Sequence, residues 1–129
     1  MIPDDVRSFI FEHVDSVTQL EILFLLHKNR GQDFNALEVA KELRANSESA
    51  QKYLELLQGL GLLHAHEGHF RYHPKEPALD GLVERLVDCY KVRPHKVMEL
   101  IFSTAKRARI FADAFNLKKS PPNEGEDDG

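Results

Sequence analysis

The stretch FNALEVAKELRANSESAQKYLELLQGLGLLHAHEGHFRYH, residues 34–73, decides the fold of this chain. Apolar residues recur at helical spacing in two short segments, residues 37–43 and residues 50–57. Residues 44–46 separate these segments and are too few for anything but a tight turn. The pattern therefore predicts two short helices joined by a turn, with Leu37, Val39, Ala40 and Leu43 on the apolar side of the first helix.

Polar and glycine residues mark the ends of both predicted helices. Asn35 is a good N-cap for the first helix, and Glu38, three residues later, can complete a capping box. Ser47 is expected to cap the second helix, because serine side chains accept hydrogen bonds from free backbone N–H groups. Gly59 and Gly61 stop that helix, since glycine accepts the left-handed conformation common at helix ends. We expect the second helix to span residues 47–58.

After Gly61 the sequence alternates with a period of two, which predicts a β-hairpin. Glu67 and Gly68 would form its two-residue turn, because X-Gly loops of this length favour hairpins. This turn pairs His66 with His69, and it continues the ladder through two further pairs: His64 with Arg71, and Leu62 with His73. One face would then be apolar and lie on the helices, through Leu63, Ala65, Phe70 and Tyr72. The other face would point outward, with Leu62, His64, His66, His69, Arg71 and His73.

Two helices, a three-residue turn and a hairpin resemble the winged helix-turn-helix of bacterial and archaeal transcription regulators, most closely the MarR-like and ArsR-like proteins. The residues that carry the resemblance are LEVAKEL (37–43), SESAQKYL (47–54) and LLQGLGLL (56–63). The resemblance covers roughly residues 17–74. It implies a mostly α fold: a winged helix-turn-helix with a two-stranded β-hairpin wing and additional N- and C-terminal helices. It also implies a DNA-binding transcriptional regulator that acts as a homodimer.

The composition fits one small domain in the cytoplasm. A chain of 129 residues with 42% hydrophobic content suits a single hydrophobic core. No apolar run approaches the length of a membrane span, so we expect no membrane association. The N-terminus MIPDDVRSF lacks the features of a signal peptide, and the single Cys89 cannot form an internal disulfide. Cytoplasmic localisation follows from these features.

The chain divides into four predicted parts. Residues 1–15 form an N-terminal helix, and residues 16–74 form the winged helix-turn-helix domain, in which Phe34 is expected to begin a very short strand beside the wing. Residues 78–117 carry C-terminal helices with more apolar surface than one helix face needs, which favours dimerisation there. Residues 94–116 form either one helix or two, because Ser103-Thr104 could end a first helix and cap a second, and the sequence does not decide between them. Residues 118–129 form a disordered acidic tail.

Charge is distributed unevenly along the chain. Residues 1–90 carry 9 Lys/Arg and 15 Asp/Glu, residues 91–119 carry 8 and 2, and residues 120–129 carry none and 4. A DNA-binding protein usually places cations where the phosphates lie, so the acidic N-terminal portion argues against DNA binding. The alternative function is a winged-helix protein-interaction module, a regulatory adaptor that binds another regulatory protein and not DNA itself.

The candidate contacts with double-stranded DNA lie on the second helix and the wing. The resemblance places the second helix in the major groove, where glutamine can read adenine and lysine can neutralise a phosphate. The hairpin would contact the DNA backbone, and partly protonated histidines would make this contact pH-dependent. The candidate DNA-binding residues are Arg44, Ser47, Glu48, Ser49, Gln51, Lys52, His66, His69 and Arg71.

The same wing permits a second, less favoured chemistry. His64, His66 and His69 are candidate zinc or nickel ligands, although a solvated polar face is the favoured explanation for them. We expect no cofactor. The sequence has no P-loop, no nucleotide-binding glycine pattern and no Gly-x-Ser-x-Gly elbow, so we do not expect an enzyme.

Overall fold

The computed structural model describes residues 2–103 and 111–113. The elements are, in chain order, α1 (Asp4–His13), α2 (Val17–Lys28), α3 (Ala36–Leu43), α4 (Ser47–Gly59), β1 (Leu63–His66), β2 (His69–Tyr72), α5 (Pro77–Val92) and α6 (Pro94–Ile101). This is the predicted winged helix-turn-helix with additional N- and C-terminal helices. No helix in the described part of the chain has the length and apolar character needed to cross a membrane.

Helix α2 is the central helix of the core. Leu20, Ile22, Leu23 and Leu26 are all buried, as expected for a helix that is apolar on most sides. Ser16 caps it by accepting a hydrogen bond from the backbone N–H of Gln19. The Gln19 side chain is itself buried, and it donates to the carbonyl of His13 at 2.8 Å and accepts from the N–H of Asp15 at 3.0 Å. These bonds satisfy a buried amide and fix the connection between α1 and α2.

The helix-turn-helix consists of α3 and α4. The predicted capping box is confirmed, since Asn35 and Glu38 exchange two hydrogen bonds of 2.8 Å each. Arg44 ends α3 in the left-handed conformation, with φ 55° and ψ 46°. The predicted cap of α4 was wrong by one residue: Asn46 is the N-cap, and its Oδ1 accepts from the N–H of Ser49 at 3.0 Å. Asparagine is as good a cap as serine, so local preference alone could not separate the two positions.

Leu37 is a second correction to the predicted helix-turn-helix. We expected it on the apolar side of α3, but 71% of its surface is exposed. Val39 and Ala40 are buried, and Leu43 packs against the core with Ala36. Residues 36, 39, 40 and 43 follow the i, i+3, i+4, i+7 spacing of one helix face, and residue 37 lies outside that face.

The wing has the predicted register. The strand pairs are Leu63 with Tyr72, His64 with Arg71, Ala65 with Phe70, and His66 with His69. Two 2.8 Å backbone hydrogen bonds between Phe34 and Phe70 add a one-residue third strand. Two predicted orientations were wrong. Leu62 is fully buried, because it precedes β1 and packs under the hairpin, and Ala65 is exposed, because the hairpin extends beyond the helices that cover its base.

The C-terminal helices pack against the N-terminal helix. Val83 and Leu86 of α5 and Val97 and Ile101 of α6 are buried in the same core as α1. Helix α6 ends at Ile101, so the chain leaves the helix before Ser103, and residues 111–113 are again helical. This favours two helices over one in the region that the sequence left open. The rest of the second predicted helix and the predicted acidic tail lie outside the described residues.

Candidate nucleic-acid interface

Helix α4 presents one buried face and one exposed face. Ala50, Leu54 and Leu57 are buried, and α4 contacts α2, α3 and β1 through this face. Of the predicted contact residues, Glu48 and Lys52 are exposed and Ser47, Ser49 and Gln51 are half-buried. Arg44 is exposed in the turn before the helix. The structure therefore brings the six predicted contacts of the helix-turn-helix to one end of α4, with their side chains at least partly accessible.

Two side chains of α4 already have neighbours in the same helix. The Gln51 amide donates a 2.7 Å hydrogen bond to Oε2 of Glu55, one turn further along. The Lys52 ammonium lies 5.4 Å from the centre of the Tyr53 ring, within the range of a cation–π contact. Contact of Gln51 with a base requires the surface hydrogen bond to Glu55 to open. Such an exposed bond contributes only about 1 kcal/mol.

The tip of the wing carries histidines around a tight turn. Glu67 and Gly68 both have positive φ angles, 51° and 81°, as a two-residue type I′ hairpin turn requires. His66 Nε2 lies 3.6 Å from a carboxylate oxygen of Glu67. His69 Nδ1 lies 3.3 Å from the Glu67 carbonyl oxygen. Both histidines are exposed, so each ring can meet a partner outside the chain.

Arg71, the third predicted contact of the wing, is held by an acid. Its Nε donates a 3.0 Å hydrogen bond to Oδ1 of Asp33. The hydrogen bond and charge of this guanidinium hold the pKa of Asp33 below its usual value. Asp33 precedes the strand residue Phe34, so the ion pair fixes the base of the wing. The charge of Arg71 is partly balanced before any phosphate approaches.

The helix-turn-helix and wing are neutral, and the acidic charge lies on other elements. Residues 34–75 contain five Lys/Arg and five Asp/Glu, whereas residues 1–33 contain three and six, and residues 76–90 contain one and four. The predicted acidic character of residues 1–90 therefore belongs to α1, α2, α5 and their loops. Four of the seven histidines, at positions 64, 66, 69 and 73, lie in the neutral segment and are exposed.

A second polar cluster, which the sequence analysis missed, joins three elements. His27 comes from the end of α2, Arg30 from the turn after that helix, Tyr72 from β2, and Asp80 and Glu84 from α5. The Tyr72 hydroxyl donates a 2.6 Å hydrogen bond to Oδ1 of Asp80, and the His27 and Tyr72 rings meet edge to face at 5.0 Å. Burial and this hydrogen bond raise the pKa of Tyr72, so the phenol remains protonated. These residues are up to 57 positions apart, and no spacing rule connects them.

The potential metal ligands converge in this cluster and not in the wing. His27, Asp80 and Glu84 each offer one ligand atom, and all these atoms lie within 4.8 Å of one another. Within residues 2–103 and 111–113, no other group of three histidine, cysteine or acidic residues meets this condition. In particular, His64, His66 and His69 do not gather around one point. His66 and His69 are opposite each other in the ladder, and His64 lies two residues before His66 on β1.

The C-terminal helices expose large apolar side chains. Val92 at the end of α5 is 74% exposed, and Phe102 after α6 is 48% exposed. Phe111, in the short helical segment 111–113, is 73% exposed. Apolar exposure at three places in the C-terminal region agrees with the surface expected there from the sequence. Burial of such surface is the usual driving force for subunit association.

No protein-family model matches the chain, and no curated protein sequence shows significant similarity to it. Similar solved structures include BpsR of Bordetella bronchiseptica, which is described for the regulation of its DNA binding by 6-hydroxynicotinic acid. BpsR is 17% identical to this chain, with a TM-score of 0.47, and the match covers 81% of this chain and 76% of BpsR. A point mutant of S. aureus MepR bound to an oligodeoxyribonucleotide matches at 11% identity and a TM-score of 0.48, covering 88% of each chain.

The S-adenosylmethionine-dependent methyltransferase SibL in its apo form is also similar. Its identity is 22% and its TM-score is 0.52, and the match covers 91% of this chain and 34% of SibL. The likeness is therefore one of fold, between this chain and about a third of a longer one.

Proposed function

We propose that this chain is a homodimeric DNA-binding transcription regulator. Helix α4 enters the major groove with its N-terminal half, and the wing contacts the DNA backbone. Ser47, Ser49, Gln51 and Lys52 face base edges and phosphates, and Arg44 approaches a phosphate from the turn before the helix. His66, His69 and Arg71 lie along the backbone next to the groove.

The arrangement of α4 and the wing carries this proposal. The apolar face of α4 is fully committed to the core, and its polar face is accessible along the N-terminal half. Strand β1 contacts α4, so the hairpin is a direct neighbour of that helix, and the residues at its tip are exposed. A protruding hairpin beside an exposed helix fits the shape of DNA, in which a groove wide enough for a helix is flanked by phosphates.

The histidines should make DNA affinity depend on pH, because the lysines, arginines and acids of the proposed binding surface balance one another. At pH 8 the helix-turn-helix and wing offer as many acids as cations, so attraction to phosphates is weak. Four exposed histidines lie in this segment, and each adds a positive charge in its imidazolium form. Two of these histidines, His66 and His69, face each other at the wing tip. We expect stronger binding at pH 6 than at pH 8.

The proposal is tested by titrating labelled duplex DNA with the protein and following fluorescence anisotropy. A salt series at pH 6 and pH 8 should give a steep fall in affinity with salt, with a slope of about −0.9 for each phosphate neutralised. Lys52→Ala should reduce the magnitude of that slope by about one unit at either pH. Lys28→Ala is the matched control, because Lys28 is an exposed lysine at the end of α2, outside the proposed surface. Equal effects of the two substitutions contradict the assignment of α4.

The wing histidines have their own variant. His66→Ala with His69→Ala should remove most of the difference in affinity between pH 6 and pH 8 and leave binding at pH 8 little changed. His95→Ala is the control, because His95 is an exposed histidine of α6. Retention of the full pH dependence in the double variant would exclude the wing tip as its source.

The homodimer is proposed to form through the C-terminal helices. The exposed side chains of Val92 and Phe102 would be buried against a second copy. Val92→Glu should therefore convert the dimer to a monomer in analytical ultracentrifugation. Leu37→Glu makes the same kind of change at an equally exposed leucine of α3, and it should leave the dimer intact. Dissociation by Leu37→Glu alone would place the interface on the helix-turn-helix instead.

A winged-helix interaction module is the second candidate function. The observation that favours it is the neutral helix-turn-helix surface, in which the exposed face of α4 includes Glu48, Glu55 and the 42%-exposed Leu56. A fold of this kind also matches about a third of the SibL chain, and fold alone does not imply function. Absence of DNA binding at low salt and pH 6 would favour this candidate over the regulator.

A further inference from the structure

The cluster at the junction of α2, the wing and α5 has the chemistry of a metal site. His27 Nε2 lies 3.0 Å from Oε2 of Glu84, and Asp80 provides a second carboxylate. Imidazole nitrogen and carboxylate oxygen are ligands of first-row divalent ions. The side chain of His27 is 14% exposed, whereas Glu84 is 50% exposed, so the cluster has a fixed inner member and an open outer side.

Arg30 shows where a cation is favoured. Its guanidinium Nη2 lies 2.9 Å from His27 Nε2 and 3.5 Å from Oδ1 of Asp80, and it forms an ion pair with Glu84. One cationic nitrogen is therefore in contact with all three potential ligands. Arg30 is about half exposed at its side chain, and its guanidinium carbon lies 5.1 Å from the centre of the Tyr72 ring, so rotation into solvent exchanges this cation–π contact for water.

We propose that His27, Asp80 and Glu84 bind a divalent transition ion such as Zn²⁺, which replaces the Arg30 guanidinium as the cation at this junction. The proposal concerns the chain alone and does not depend on DNA binding.

The distances require only a small contraction. Ligand atoms about 2.1 Å from an ion are separated from one another by roughly 3–3.5 Å in tetrahedral or octahedral geometry. The His27–Glu84 distance of 3.0 Å already fits, and the whole set lies within 4.8 Å. Both carboxylates are on α5, one turn apart, so rotamer changes suffice to bring them closer.

The surroundings of the ligands support the site. Tyr72 donates to Asp80, and its ring packs against His27, so one residue orients two of the three ligands. A set of one nitrogen and two oxygen ligands favours Zn²⁺, Co²⁺ or Mn²⁺ over Cu⁺, which prefers soft sulfur ligands. Solvent can supply the remaining ligands on the open side.

The test measures Zn²⁺ binding to the full chain by isothermal titration calorimetry, with Co²⁺ absorption as a report on coordination. We expect one ion per chain. Glu84→Gln and His27→Ala should each weaken binding at least tenfold, and circular dichroism checks that each variant is folded. Arg30→Met removes the competing charge and leaves a flexible apolar side chain at this position, so it should tighten binding about tenfold.

The opposite signs of these effects separate a metal site from a structural ion-pair network. In a network without a metal function, Arg30→Met would not increase affinity. His66→Ala with His69→Ala controls for the wing histidines and should leave the affinity unchanged. No binding to the parent chain and to Arg30→Met, or binding lost only in the wing variant, would overturn the proposal.

Discussion

Arg71 of the wing and Asp33 before the third strand form a hydrogen-bonded ion pair at 3.0 Å, across 38 residues of sequence. Arg71 is the one lysine or arginine between residues 62 and 73. The pair therefore stabilises the base of the wing and, in the proposed function, reduces the positive charge that the wing would offer to DNA. In that function, Asp33 would compete with a DNA phosphate for the Arg71 guanidinium.

Asp33→Asn should strengthen DNA binding. The substitution removes a negative charge and frees Arg71, so we expect a three- to tenfold lower dissociation constant at low salt and a steeper salt slope, by about one unit. Fluorescence anisotropy with labelled duplex DNA measures both. Asp88→Asn makes the same charge change at an exposed position of α5, away from the wing. An equal gain in both variants would show a general charge effect and not release of Arg71.

The stability of the protein should fall in acid through three carboxyl groups. Asp5, Asp33 and Glu84 each have a lowered pKa, with Arg85, Arg71 and His27 as the respective main causes. A native pKa below the unfolded value means that the unfolded chain binds more protons between the two values. The three ion pairs therefore make their full contribution to the free energy of unfolding above the ordinary carboxyl pKa of about 4. This contribution is lost as the pH falls through the lowered pKa values of the native state.

Urea unfolding between pH 7 and pH 2.5 checks this prediction. The triple variant Asp5→Asn, Asp33→Asn, Glu84→Gln should show a shallower decline in acid than the parent, because its amides do not titrate. A control variant replaces the exposed acids Glu12, Glu21 and Asp88 by amides, and it should keep the slope of the parent, since these acids form no ion pair within the described residues. Parallel acid profiles for the parent and the first variant would contradict the assigned ion pairs.

Substitution of Gly59 and of Gly61 by alanine should change the free energy of unfolding in opposite directions. Gly61 has a φ of +84°, and an added Cβ would lie 3.3 Å from the Lys75 side chain, so Gly61→Ala should cost about 1–2 kcal/mol. Gly59 is the last residue of α4, has no positive φ, and has open space around it, so Gly59→Ala should stabilise by about 0.5–1 kcal/mol. Thermal or urea unfolding compares the two. A stabilising Gly61→Ala would show that the turn into the wing does not need this conformation.

Tyr72→Phe should destabilise the junction of the wing and α5. The substitution keeps the ring against His27 but removes the hydroxyl that donates to Asp80, for an expected loss of about 0.5–1.5 kcal/mol. Tyr90→Phe is the control. Its ring packs on Phe24, and the described part of the chain gives its hydroxyl no hydrogen-bond partner. Equal losses in the two variants, measured by urea unfolding, would mean that the hydroxyl of Tyr72 contributes nothing of its own.

Most of the fold is determined by local sequence signals. The capping box of Asn35 and Glu38, the period of two after Gly61 and the Glu67-Gly68 turn each fix a structure within a few residues. These signals predicted the helices, the hairpin register and the bridge strand at Phe34 correctly. They failed where neighbouring positions satisfy the same rule, as with Ser47 and Asn46, or where orientation depends on what covers a strand, as with Leu62 and Ala65.

The ion pairs and the polar cluster were decided by tertiary structure alone. Arg71 reaches Asp33, Arg85 reaches Asp5, and His27 reaches Glu84 only because distant elements pack on a common core. Such contacts join groups 38 to 80 residues apart, and charged side chains have no periodic pattern that reveals their partners. The sequence by itself determined that this chain forms a winged helix-turn-helix. Packing decided which of its charges are available to a ligand, because a charge is neutralised by whatever lies beside it in space.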